Sequence, residues 1–184
     1  MTIRDIAGFC PEEAVWKMMA DVSAFLLKEH VGYVLTPDSI VIDGQNFMVE
    51  TKDEIVNEFM APEYIEGAKN EGSLAVWSLG AVAYYMATGH IVFGGHGSCY
   101  QKEHPLVSLP VLPKGLQELS FLLQKCLYYS PNDRISLEKL NEQSLQGVHF
   151  CEKRQRKTTV LSVNGQETNE NNNGEKWPEE MIEV

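Results

Sequence analysis

The chain has 184 residues, of which 43% are hydrophobic, and it carries a formal net charge of −11. This length and composition suit one domain with a substantial hydrophobic core, followed by a tail. The negative charge argues against nucleic acid as the main partner, because phosphate binding needs a basic surface. No apolar run follows Met1, so we expect a cytoplasmic protein with neither a signal peptide nor a membrane span.

The cysteines and histidines form no pattern typical of a disulfide framework or a metal site. The cysteines lack a C-x-x-C spacing, which favours reduced thiols. They are Cys10, Cys99, Cys126 and Cys151. His96, Cys99 and His104 could ligate zinc, but they have no fourth partner and their spacing is loose. We therefore predict no metal and no cofactor, and we leave the role of these three residues open.

The first part of the chain predicts a helix and a β-hairpin. Pro11-Glu12-Glu13 is typical of a helix start, because proline suits the first helical position and the acids face the positive end of the helix dipole. Apolar residues at three- and four-residue spacing continue this helix to about Glu29. Farther on, Asp43-Gly44 is a turn dipeptide between two β-branched or aromatic runs, which predicts a hairpin over residues 40–49.

The stretch from Val76 to Gly89 predicts the central helix. It is apolar almost all the way round, and a helix without a polar face belongs inside a protein. It is also shorter than the roughly 20 residues that a transmembrane helix needs. We expect Gly89 to end this helix and Trp77 to lie in the core.

Two amphipathic helices are predicted after the central one. The first has a stripe of apolar residues, namely Leu116, Leu119, Leu122, Leu123, Cys126 and Leu127. Ser136 can cap the second, with Leu137, Leu140 and Leu145 facing inward. Between Phe93 and Leu109 we expect a loop or one short helix.

The composition of residues 151–184 differs from that of the preceding chain, and we predict that they form a partly disordered tail. A basic cluster at residues 153–157 precedes a predicted short strand over residues 158–163. The Asn- and Glu-rich run at residues 168–174 is typical of disorder. Trp177 could dock on a partner or back on the body, and the pattern does not decide between the two.

Two motifs carry a resemblance to a known family. Met-Ala-Pro-Glu at residues 60–63 precedes Trp-Ser-Leu-Gly at residues 77–80, and in this order and spacing they resemble the C-terminal lobe of eukaryotic-type protein kinases. The resemblance implies a mainly α fold, a kinase C-lobe-like helical domain with a small β-hairpin, over residues 1–150. It also implies that Glu63 forms a buried ion pair with Arg134.

The same resemblance places other residue types where kinases carry catalytic groups. With residues 37–41 matched to the kinase sequence P-E-N-I-L, Val34 stands at the catalytic aspartate and Ser39 at the metal-binding asparagine. Thr51 stands where the aspartate of D-F-G is required. Ala75 replaces an aspartate that holds the catalytic loop, so we expect that anchor to be lost. Phosphoryl transfer depends almost wholly on placed charge and metal, which implies a pseudokinase without catalytic residues.

We therefore expect a catalytically inactive protein-protein interaction module rather than an enzyme, with the N-terminal kinase lobe absent. It resembles in this respect the non-catalytic kinase C-lobe domain of Spire-type actin nucleators, whose partner is a basic peptide. Residues 1–150 have 10 Lys and Arg against 19 Asp and Glu, a charge of −9 that would suit a basic segment here too.

Two other functions remain open at this point. One is the C-terminal half of a split kinase-like protein that another chain completes, although a second chain cannot supply the acid missing at Val34. The other is an unrelated helical enzyme with a Cys or His nucleophile, for which no Cys–His pair has supporting context. The sequence leaves the oligomeric state and the identity of a partner undetermined.

Overall fold

The computed structural model describes residues 1–29, 34–50, 57–65 and 71–163. These residues are mainly helical with one two-stranded antiparallel sheet, as the sequence predicts. The helices are α1 (Ile3–Ile6), α2 (Glu12–Glu29), α3 (Pro62–Ile65), α4 (Glu71–Thr88), α5 (Gly97–Glu103), α6 (Gln117–Cys126) and α7 (Leu137–Val163); the strands are β1 (Ile40–Asp43) and β2 (Asn46–Val49). Across these ranges, no helix combines the length and the apolar character that a bilayer crossing requires.

Helix α4 lies at the centre of the core, which confirms the prediction from its apolar sequence. Its residues 74–83 are all buried, and Trp77 has no exposed surface. Gly80 allows α6 to approach closely, because a Cβ at this position would lie 2.6 Å from the Cβ of Cys126. Gly89 follows the helix with a φ of +73°, in the left-handed region that favours glycine.

A buried polar network joins α4 to α5 and to the end of α6. The indole N–H of Trp77 donates to Gln101 Oε1 at 2.9 Å, and Gln101 Nε2 donates to the carbonyl of Leu127 at 2.6 Å. Both polar ends of the Gln101 amide are therefore satisfied inside the core. The segment between Phe93 and Leu109 thus contains the short helix α5, with the polar side chains of Ser98 and Gln101 buried.

Helices α2 and α7 pack along each other in opposite directions. Asn141 Nδ2, near the start of α7, donates to the carbonyl of Ala20 in the middle of α2 at 3.0 Å. Farther along α7, Gly147 lies against Trp16, closer to the start of α2. A Cβ at Gly147 would lie 2.3 Å from the Trp16 indole, so the glycine makes room for the ring.

The two strands form the predicted hairpin, and backbone and side-chain contacts tie it to the helices. Gly44 in the connecting turn has a φ of +60°. A backbone bridge joins Thr2 to Val41, so the first residues of the chain extend the hairpin at the edge of β1. The N–H of Phe47 donates to the Asp21 carboxylate at 3.0 Å, which fixes β2 to α2.

The last helix is longer than the sequence predicted. Helix α7 continues through Val163, so the strand predicted over residues 158–163 is wrong. The predicted domain boundary at residue 150 falls inside this helix, and Cys151 is buried beyond it. The remainder of the predicted tail, residues 164–184, lies outside the described residues.

The inward orientation predicted for Leu145 is also wrong. Leu145 is 47% exposed, whereas Leu140 and Ser144 are fully buried. The buried stripe of α7 passes instead through Ser144 and Gly147, and at Gly147 the Trp16 ring of α2 leaves no room for a side chain.

We predict that Gly147→Ala destabilises the protein. The added methyl group would meet the Trp16 ring, and overpacking a well-packed core typically costs about 1–3 kcal/mol. The matched control is Gly72→Ala, because Gly72 is exposed in α4 and no atom lies within 4 Å of the place that its Cβ would take.

Alanine at Gly72 should leave stability unchanged or raise it by up to about 1 kcal/mol, since glycine is unfavourable inside a helix. Urea denaturation of both variants measures the difference. Equal free energies of unfolding for the two variants would contradict the packing of α7 on Trp16.

Candidate functional site

The segment from Val34 to Ser39 stands where the resemblance places the catalytic loop. It precedes β1, and its backbone turns on itself. Thr36 N–H donates to Ser39 Oγ and the Ser39 hydroxyl donates to the Thr36 carbonyl, both at 2.9 Å. Ser39 N–H donates in return to Thr36 Oγ1 at 3.2 Å. The side chain at the position of the metal-binding asparagine is therefore engaged within its own turn.

The loop is fixed to the central helix by a contact that the sequence analysis missed. The N–H of Leu35 donates to Ser78 Oγ at 3.2 Å, and the Ser78 hydroxyl donates to the carbonyl of Ala75 at 3.1 Å. Ala75 has no side-chain acceptor, and Ser78, one turn along α4, bonds the loop backbone instead of the aspartate that kinases use there. The signal in the sequence was a serine within an otherwise apolar helix.

The described part of the loop carries an aliphatic residue at the position of the catalytic aspartate and one acid, Asp38. Val34 is half-buried, and its aliphatic side chain cannot accept a proton from a hydroxyl group. The carboxylate of Asp38 accepts a hydrogen bond from Arg4 Nε at 2.7 Å, an ion pair that joins the loop to α1. Thr51, at the position of the D-F-G aspartate, lies outside the described residues.

Helix α5 presents a stack of three aromatic rings to solvent. His96 and His104 lie on either side of Tyr100, with ring centroids 6.3 and 4.2 Å from the tyrosine centroid. His104 Nδ1 is 3.1 Å from the Tyr100 carbonyl. Within the ranges that the structure covers, no group of three or more His, Cys, Asp or Glu side chains is placed to hold a metal ion.

The buried cysteines are poor candidates for a nucleophile. Burial raises the pKa of the Cys126 thiol and of the Cys151 thiol to about 12. Burial also raises the pKa of Cys10, whose thiol donates to the carbonyl of Ile6 at 3.1 Å. Because the thiolate is the nucleophilic form, the raised pKa values disfavour Cys126 and Cys151 as nucleophiles at neutral pH.

Arg134 forms the predicted ion pair with Glu63. Its Nη1 donates to Glu63 Oε1 and, at 3.1 Å, to the carbonyl of Ser73. Its Nη2 donates to Glu63 Oε2 at 2.7 Å and to the carbonyl of Tyr129 at 2.9 Å, while Nε donates to the carbonyl of Tyr128 at 2.7 Å. The Arg134 side chain is fully buried and that of Glu63 is 11% exposed, so the contact is a buried bidentate pair.

This pair joins parts of the chain that are far apart in sequence. Glu63 belongs to α3, Ser73 to the first turn of α4, and the two tyrosine carbonyls to the segment after α6. A guanidinium has five N–H donors, and each one here has an acceptor. The arrangement holds α3 against the core and has a structural role.

Comparison with known families agrees with this geometry. Residues 43–145, more than half of the chain, match the protein kinase domain family. The matched range contains the hairpin turn, the core helix α4 and the Glu63–Arg134 pair. The chain therefore belongs to the protein kinase domain family.

The chain is also similar to a curated protein over a shorter stretch. The chain is 29% identical over 85 residues to the serine/threonine-protein kinase PkaB of Streptomyces coelicolor. The aligned part covers 46% of this chain and 20% of that kinase. The chain thus corresponds to about a fifth of the length of this relative.

We predict that Glu63→Ala strongly destabilises the fold. Removing one partner of a buried pair leaves the other charge uncompensated, which costs roughly 3–5 kcal/mol. The control is Glu103→Ala, because Glu103 is exposed at the end of α5. Thermal unfolding should show a much lower Tm for Glu63→Ala than for Glu103→Ala. Equal Tm values for the two variants would refute the structural role of the pair.

Proposed function

We propose that this chain is a catalytically inactive, kinase C-lobe-like interaction module that binds a basic or amphipathic protein segment. The observation that carries the proposal is Val34 at the position of the catalytic aspartate, in a loop where Ser39 is engaged within its own turn. Phosphoryl transfer relies on placed charge and metal. Contacts that determine the fold, such as Glu63 with Arg134, are kept.

The outer face of the hairpin is the surface that best suits such a segment. We define the hairpin face as Val41, Asp43, Met48 and Glu50. Val41 and Met48 are paired across the strands, and Met48 is 51% exposed. Asp43 and Glu50 are exposed and share this side, because side chains two apart in a strand point the same way.

The chemistry of this face indicates the kind of partner. An apolar pair lies in the middle and a carboxylate lies toward each end, which complements a segment with an apolar centre and flanking cations. The charge of −9 on residues 1–150 would attract such a segment and speed its association. The partner class is therefore a protein segment, and neither nucleic acid nor a membrane.

We expect a charge reversal on the hairpin face to abolish partner binding. The variant Asp43→Lys with Glu50→Lys should lose a partner that the unmodified chain retains from cell extract at low salt. Raising the salt should have the same effect, because the Debye length falls from about 10 Å at 0.1 M to about 3 Å at 1 M.

The matched control is Glu103→Lys with Glu142→Lys, which changes the net charge equally at two exposed positions elsewhere. This control should retain the partner. If both double variants lose it equally, the hairpin face is not the site. If the unmodified chain retains no specific partner at low salt, the interaction module is wrong and the split-kinase alternative gains support.

We also expect the chain neither to bind Mg-ATP tightly nor to transfer phosphate. The positions of Val34, Ser39 and Thr51 require acid and amide groups for metal and proton handling. Isothermal titration calorimetry should give no micromolar Mg-ATP binding. Such binding, or autophosphorylation that disappears when a residue of this chain is replaced, would contradict the proposal.

A further inference from the structure

The side of α7 that faces away from α2 carries an exposed stripe of apolar and basic residues. We define the outer stripe as Leu145, His149, Lys153 and Arg156, whose spacing places them on one face of the helix. All four residues are exposed. The opposite side of α7 packs on α2 through Gly147. Glu152 lies beside the stripe, with its carboxylate 3.6 Å from His149 Nδ1. The basic part of the outer stripe is therefore Lys153 and Arg156, in a chain of net charge −11.

The last eight residues, 177–184, have the complementary chemistry. Their sequence Trp-Pro-Glu-Glu-Met-Ile-Glu-Val contains three glutamates and no cation. Pro-Glu-Glu is the pattern that starts α2 at Glu12. In a helix, Trp177, Met181 and Val184 would share one face at i, i+4 and i+7, with Glu180 alongside them.

The connecting chain is long enough to bring this segment back to α7. Helix α7 ends at Val163, and residues 164–176 separate it from Trp177. These residues can span up to about 43 Å when extended. The distance from Val163 back to Lys153 along the helix is about 15 Å. Residues 177–184 can therefore lie antiparallel to the second half of α7.

We propose that residues 177–184 dock on the outer stripe of α7. Trp177 would lie over the side chains of Lys153 and Arg156, where the ring meets both aliphatic stems and cationic heads. The glutamates would pair with the same cations. An isolated helix of this length is unstable in water, so the segment would become ordered on docking.

Docking of this kind would also affect the proposed interaction module. The basic cluster at residues 153–157 is chemically similar to the segment that the hairpin face would bind. An acidic segment held on Lys153 and Arg156 occupies these cations within the same chain, where a short connection gives a high effective concentration. The cluster is then kept from competing with a basic partner.

Tryptophan fluorescence of the full chain tests the docking directly. Trp16 and Trp77 have no exposed surface, so Trp177 is the tryptophan whose environment can respond. Acrylamide quenching at low salt should find Trp177 shielded, with its signal isolated by subtracting a Trp177→Phe variant. The double variant Lys153→Glu with Arg156→Glu should increase the quenching and shift the emission to the red, and so should high salt without any substitution.

The control is Lys28→Glu with Lys114→Glu, which changes the net charge equally at two exposed positions away from the outer stripe. It should leave the quenching unchanged, with circular dichroism confirming that each variant is folded. A Trp177 already accessible in the unmodified chain would overturn the proposal. The proposal would also fail if both double variants changed the quenching equally. It would fail too if the quenching changed neither in the double variants nor at high salt.

Discussion

The buried Glu63–Arg134 pair is the contact on which the arrangement of the helices depends. Arg134 follows α6 in the chain, and its guanidinium bonds to that segment, to α3 and to the first turn of α4. A buried guanidinium is stable only when its donors are satisfied and its charge is compensated. Glu63 supplies the charge, and three backbone carbonyls take up the remaining donors.

The loop before β1 is held in place by contacts to two different helices. Ser78 holds the loop to α4 through Leu35, and Arg4 holds it to α1 through Asp38. The first contact is to a backbone N–H of the loop and the second is to the carboxylate of Asp38. The loop therefore keeps its place against the core without an aspartate at Val34 or at Ala75.

The elements that could be predicted from the sequence are those determined by residues close together in the chain. The all-apolar run of α4 and the Asp43-Gly44 turn each specify an element by their own residue types, and the family motif supplied the partner of Glu63. Ser78 could not be found in this way, because its acceptor role depends on a backbone N–H 43 residues away in sequence. Leu145 was misplaced because the tight approach of Trp16 to Gly147, and not hydrophobicity alone, selects the buried face of α7.

A double-mutant cycle on the central pair tests this account most directly. Glu63→Gln, Arg134→Met and the double variant would be compared by urea denaturation. Because each single change leaves a buried group without its partner, we expect the double variant to lose less stability than the sum of the single losses, by about 0.5–3 kcal/mol. Losses that add to within about 0.5 kcal/mol would show that the two residues do not act as a unit, and would contradict the account.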